Sequence, residues 1–375
     1  MKRQAVDVAA SGAKPNERTS SERVWCRFAL AYLGMFIGVV GAVYVFIIAV
    51  DPYDSGRFPS LGLQGLFDGL QHGGNAAAGG AARSDAAAFG DTDTSQRTGN
   101  VALGRAARFN AAIFGNSHGQ LLSPQRLSQA TGLNFVQLTV PGANVREQLA
   151  MMGWFMHHHP EAGALVLALD ERWCVTDPAL PLRSPFPFWL YGDSNLVYLA
   201  NALSTRTLRD SIRRLVSAGG GAVSVDGYSD YEAGKAWSFK PGKPALADGF
   251  PARDDRPFRR EPDFPGLIRL DALLGEIAAK TPVVIVLPPQ FYTELPPAGS
   301  GGARFRDYCK WQIGLRAERG AGSAFLDFLV DSALTRDPEN FMDAEHYRSN
   351  VAEMIEAEIA AALNGRRAAA EAGHD

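Results

Sequence analysis

Past residue 109 the chain repeats one pattern, in which short apolar runs alternate with longer stretches of helical period. The runs lie at 110–115, 135–140, 164–169, 282–287 and 324–328. Strands that read as nearly unbroken apolar runs are buried on both faces, which is the habit of parallel sheets. Helical patterns fall between them, at 123–131, 145–158, 267–280, 304–319 and 349–363, with two more at 195–203 and 207–217. Ser123-Pro124 has the form of an N-cap followed by proline at the first helical position. The pattern predicts an α/β domain: a doubly wound, mainly parallel five-stranded sheet with helices on both faces. Residues 219–264 are rich in glycine, proline and charge and predict an insertion of loops or a small hairpin.

The N-terminal part has a different pattern. Residues 28–50 carry no charge, and as a helix they would span about 35 Å, enough to cross a bilayer. The competing readings are a buried core helix and a cleaved signal peptide. The run is too long for a signal peptide's apolar core, and no A-x-A-like cleavage site follows it, so the expectation is a transmembrane anchor. Lys2, Arg3, Lys14, Arg18, Arg23 and Arg27 precede it, and the first positive residue after it is Arg57. That bias places the N-terminus in the cytoplasm and the rest outside. The expected division is a cytoplasmic tail (1–27), the membrane helix (28–50), a juxtamembrane segment and flexible linker (51–107), the α/β domain (108–365) and a disordered tail (366–375).

Composition adds limits. The chain has 375 residues, 46% of them apolar, and a net charge of −3, so nothing favours a nucleic-acid partner. Cys26, Cys174 and Cys309 are too few and scattered for a disulfide scaffold or a zinc site. Cys174 and Cys309 would share an oxidising space, but nothing in the sequence brings their Cα atoms together, so two buried thiols are expected. His157-His158-His159 ends a helix; adjacent helical side chains point about 100° apart and cannot converge on one ion. No metal and no cofactor is expected.

Two short motifs carry the candidate chemistry. Phe114-Gly115-Asn116-Ser117-His118 follows the first apolar run, and Asp343-Ala344-Glu345-His346 precedes the last helix. Ser117 falls beyond the carboxyl end of a strand and near the start of a helix, where ligands bind and backbone N–H groups stabilise anions. Taken singly, Ser117 reads as a helix cap and Asp343 as part of a solvated loop. Taken together and in this order, they supply a nucleophile (Ser117), a base (His346) and a residue that orients the base (Asp343). His118 would line the same pocket. Gly192-Asp193-Ser194 is a literal GDS string, but it follows no buried strand and reads as a helix cap. Trp173, Phe186, Phe188, Trp189 and Tyr191 follow the third strand. They either stack on sugar rings in the cleft, with Arg172 and Arg183 pairing carboxylates, or pack a loop; Trp173 and Trp189 are the candidate substrate contacts.

These motifs resemble the SGNH (GDSL-like) hydrolase superfamily, and more closely its membrane-anchored bacterial branch, which includes proteins that O-acetylate alginate and D-alanylate teichoic acid. The resemblance rests on Asp51-Pro52-Tyr53 after the anchor, the Gly-x-Ser turn, and the stretch from Asn134 to Ala143 with Pro141-Gly142-Ala143 at its end. It covers residues 108–365 and the anchor layout. It implies an SGNH/flavodoxin-like fold with Ser117, His346 and Asp343 as catalytic residues, and the Ser117 N–H and Gly142 as oxyanion donors. The chain departs from the family in two places. Asn116 stands where the family has Asp, and Asp170-Glu171-Arg172 stands where a Gly-x-Asn usually supplies a side-chain donor. An ionised Asp cannot donate, and Asn144 is the substitute at hand. The implied function is a membrane-anchored serine esterase or O-acyltransferase acting on acyl esters of an envelope polysaccharide or exopolysaccharide. The alternative is a catalytically weak or inactive carbohydrate-binding or assembly component. The implied partners are the carbohydrate or acyl-ester substrate and other proteins of a polysaccharide-modification system.

Overall fold

A computed structural model of the chain describes residues 20–58, 92–175, 177–178, 185–216, 225–234, 237–241, 264–277, 281–318 and 323–372. Residues 1–19 of the expected tail (1–27), residues 59–91 of the expected juxtamembrane segment and linker (51–107), Arg183 and much of the 219–264 insertion lie outside the described residues. The elements in chain order begin with α1 (Ser20–Val50), α2 (Thr92–Arg105), β1 (Ala111–Gly115), α3 (Pro124–Thr131), β2 (Phe135–Thr139) and α4 (Val145–His158). Then come β3 (Ala164–Ala168), α5 (Asn195–Ala202), α6 (Thr205–Val216), α7 (Pro265–Glu276) and β4 (Val283–Leu287). The last three are α8 (Gly301–Ala317), β5 (Ala324–Asp327) and α9 (Ser349–Ala372).

All five strands are parallel, in the order β2-β1-β3-β4-β5. Alternate strand residues feed two separate cores. Ala112, Phe114, Leu138, Leu165, Leu167 and Ile285 pack with α2, α4, α7 and α8 on one face. Ala111, Ile113, Phe135, Val166 and Val284 pack with α3 and α9 on the other. With both faces covered, a strand gains from apolar residues at every position, which is why the runs do not alternate with polar residues. The helix ends are set locally. Ser123 accepts the Arg126 N–H at 3.3 Å ahead of Pro124, and Gly132 ends α3 with φ 72°. Asn144 and Glu147 form a reciprocal capping box at the start of α4.

Helix α1 has one apolar stretch long enough to cross a membrane. Residues 22–39 are all exposed, and from Val43 onward the helix packs on the domain. It stops at Asp51, which takes a positive φ of 40° ahead of Pro52, while its carboxylate accepts from the Ser55 hydroxyl and the Gly56 N–H. Tyr53 then enters the domain. Its hydroxyl donates to Asp210 at 3.0 Å, and its ring meets Trp189 edge-on at 5.7 Å. Arg57 donates to the Leu190 and Gly192 carbonyls and lies over the rings of Trp154 and Tyr198.

Three expectations need correction. The stretch read as linker includes α2, a packed helix. It offers few apolar positions, Val101 and Leu103 among them, and is held largely by buried polar contacts: Arg97 to Glu147 at 3.4 Å, and Asn100 to the Thr139 carbonyl at 3.3 Å. Residues 51–58, ahead of the stretch read as linker, are docked on the domain through Tyr53 and Arg57. Helix α9 runs on to Ala372, past the expected end at 363 and through most of the supposed tail. Cys174 and Cys309 form a disulfide with Cα atoms 5.9 Å apart. The turn after β3 and helix α8 pack into the same core, which brings together residues 135 apart in sequence.

Candidate active site

The strand order reverses direction between β1 and β3. Such a switch point leaves a crevice at the carboxyl ends of the strands, because the two connections leave on opposite faces. Ser117 follows β1 at that point, and Asp170 follows β3 beside it. The turn holding Ser117 lies close on β3: a Cβ at Gly115 would sit 2.9 Å from the Ala168 carbonyl oxygen. A side chain there would force the turn away, so glycine is required by the close approach. The turn is closed by the Asn116 side-chain oxygen, which accepts the His118 N–H at 2.9 Å, and by Gly119 and Gln120 N–H groups bonded to the Asn116 and Ser117 carbonyls. The Ser117 N–H takes no part in these bonds.

The loop after β5 supplies His346, the residue expected to act as the base. Phe341 and Tyr347 pair as an isolated antiparallel bridge, and the Met342 N–H bonds to the His346 carbonyl at 2.8 Å. Inside this pinched loop the Asp343 carboxylate accepts the N–H groups of Glu345 and His346, each at 2.8 Å. Both its oxygens also lie 2.9 Å from His346 Nδ1. A carboxylate can only accept, so Nδ1 carries the proton and Nε2 is left as an acceptor. His346 Nε2 lies 2.9 Å from Ser117 Oγ. The Tyr347 hydroxyl, donating to the His118 carbonyl at 2.5 Å, ties the two loops together.

The site is open to solvent. Ser117 is half-buried, and the His346 and Asp343 side chains are 24% and 55% exposed. Burial raises the Asp343 pKa, but the hydrogen bond and charge of His346 and the two loop N–H groups outweigh it, so the carboxyl titrates below its ordinary range. His118 is different. Burial pushes its pKa down, with Asp170 opposing and His346 adding to the effect. It therefore sits as a neutral ring 5.4 Å from the His346 ring.

The two departures from the family pattern touch each other. Asn116 Nδ2 donates to Asp170 Oδ2 at 2.7 Å, in a buried pair. The second Asp170 oxygen accepts the Arg172 N–H at 3.0 Å, and His118 Nδ1 lies 3.8 Å from the first. Asp170 is thus an acceptor served from several sides, and it offers no donor to a substrate.

The other predicted site residues fall as follows. Gly142 has φ 65°, which favours glycine, and nothing lies within 4 Å of where its Cβ would be. Its turn is closed by the Ala143 N–H on the Val140 carbonyl, and the Val140 N–H bonds to the Gly115 carbonyl, which sets this turn beside that of Ser117. Asn144 caps α4, its Oδ1 committed to the Glu147 N–H at 3.1 Å. Trp173 does not line the cleft. Its side chain is wholly buried in the core under α7, whose Gly266 lies close on the Trp173 carbonyl. Trp189 is half-buried between Tyr53 and Tyr198, where the segment after α1 meets the domain, and does not line the cleft. The aromatic segment leaves β3 at the expected edge but turns toward α1. Ser194 caps α5, accepting the Val197 N–H at 3.3 Å.

Tyr231 and Glu232 have no counterpart in the sequence reading. Tyr231 meets the His346 ring edge-on at 6.2 Å, and Glu232 binds Arg348 and the N-terminus of α9. They sit in the irregular insertion, where no periodicity marks which residues turn inward. No family model, curated protein or solved structure matches this chain.

Proposed function

We propose that the protein is a membrane-anchored serine esterase or O-acyltransferase that works through an acyl-enzyme at Ser117. The observation that carries this reading is the line from Ser117 Oγ to His346 Nε2, with Nδ1 held by Asp343. His346 takes the hydroxyl proton as Ser117 Oγ attacks the acyl carbon. The bond to the alcohol then breaks, and the departing oxygen receives that proton. Water or a carbohydrate hydroxyl next gives its proton to His346, attacks the acyl group, and releases Ser117 with the proton returned. The oxyanion would lie against the Ser117 and Gly142 N–H groups. An open site suits a polymer, and α1 would hold the domain at a bacterial inner membrane, facing the periplasm.

The second reading is a carbohydrate-binding or assembly component, and Asp170, an acceptor where a donor is implied, favours it. Hydrolysis of a chromogenic acetyl ester by the full chain separates the two. Activity that Ser117→Ala abolishes supports the enzyme. Equal activity in that variant refutes the assignment, and inactivity of the parent chain favours the binding component.

A further inference from the structure

The junction between α1 and the domain carries an exposed surface that the esterase chemistry does not use. Leu196, Val197 and Leu203, on and just after α5, are 80%, 49% and 43% exposed, and Ile212 on α6 is 49% exposed. Leu196, Ala200 and Leu203 recur at i, i+4 and i+7, so they form one outward stripe. Beside it, Arg206, Arg209 and Arg213 are exposed and form no ion pair among the described residues. The inward side of α6 is polar: Thr207 and Ser211 are buried, and Asp210 holds the Tyr53 hydroxyl. The helix therefore shows apolar and basic residues outward, the reverse of a helix that serves only a core.

The length of α1 says what covers this surface. Its uncharged stretch begins at Phe28 and is free of the domain only up to Ala42, about 22 Å of helix. The hydrocarbon core of a bilayer is about 30 Å thick. The missing length is the part of α1 already packed on the domain, where Val43 and Phe46 meet its core and the Tyr44 hydroxyl donates to the Leu199 carbonyl of α5 at 3.0 Å. If α1 spans the bilayer, α5 is drawn to the depth of the interface.

We propose that α5 and α6 form a membrane-docking surface, with Leu196, Val197, Leu203 and Ile212 in the outer interface and Arg206, Arg209 and Arg213 on anionic phospholipid headgroups. This rests on reading α1 as a membrane span. Apolar residues beside arginines are the composition of helices that lie in the interface plane. Docking fixes the orientation of the domain on the bilayer, which a single anchor followed by a loose linker would not.

The test uses the full chain in lipid vesicles, in a Cys26→Ser background, with a fluorescent label at L196C, at F36C within α1, or at M354C on α9. With brominated lipid, the L196C label is expected to be quenched along with F36C, while M354C stays bright. An unquenched L196C beside a quenched F36C overturns docking and leaves the span standing. An unquenched F36C overturns the span and docking with it. An L196C label shielded from aqueous iodide but not quenched by lipid means that protein covers the patch, which also overturns the proposal. With phosphatidylglycerol present, R206Q/R209Q/R213Q is expected to weaken L196C quenching without changing F36C; equal quenching overturns the role of the arginines.

Discussion

Asn116→Asp would place a second carboxylate 2.7 Å from Asp170 in a buried pair. Two full charges at that distance repel by about 6 kcal/mol at an effective dielectric of about 20. The pair escapes most of this by keeping one proton. Holding a carboxyl of ordinary pKa near 4 protonated at pH 7 costs about 4 kcal/mol, at 1.36 kcal/mol for each pKa unit. That is the ceiling on the destabilisation at pH 7, and it falls to about 1 to 2 kcal/mol at pH 5. The sign follows from linkage: one folded-state pKa is raised above its unfolded value, so the penalty is absent near pH 4 and grows as pH rises. A domain of this size should melt roughly 10 °C lower at pH 7. The swap N116D/D170N restores a donor facing an acceptor and should recover most of the loss, a coupling that a double-mutant cycle measures. Thermal melts of the four proteins at pH 5 and pH 7 provide the assay. An N116D variant as stable as the parent at pH 7, or a swap no better than the single variant, would show that the contact is not what binds these positions together.

Three further outcomes follow from packing and charge. Burial raises the Glu171 pKa to about 7 against the pull of Arg306, so its charged form is disfavoured and stability is lost as pH rises from about 4.5 through 7; Glu171→Gln should flatten that slope by up to about 3 kcal/mol in melts between pH 5 and pH 8. Removing the Cys174–Cys309 bond frees a 135-residue loop, and C174A/C309A should lose about 2 to 5 kcal/mol in denaturant titrations. Trp173→Ala should lose about 3 to 5 kcal/mol, because the side chain is core, and under the proposed function it should lower activity on polymer and small ester alike; loss on the polymer alone would return it to the cleft.

The sheet was legible because its strands are buried on both faces and its helices carry ordinary caps. Ser123-Pro124 and the apolar runs mark their own boundaries to within a residue or two. Ser117 and His346 were legible as a pair because a parallel sheet gathers the loops after β1 and β5 at one edge. The rest depended on contacts with no local signal. Helix α2 is held by Arg97 and Asn100, polar residues that read as linker until Glu147 and Thr139 stand opposite them. The bond between Asn116 and Asp170 joins two positions that, read singly, are two separate defects. The aromatic cluster after β3 leaves the sheet at the edge its position in the chain implies, but its direction depends on Tyr53 and Arg57, which bring the segment after α1 to it.

Under the proposed function, His346 makes Ser117 a nucleophile. A fluorophosphonate probe applied to the full chain, with the adduct mapped by mass spectrometry, tests it without knowledge of the substrate. The adduct is expected on Ser117, absent in Ser117→Ala, and formed about 10² to 10⁴ times more slowly in His346→Ala. A folded parent chain that carries no adduct on Ser117, or that labels equally fast without His346, would contradict the account.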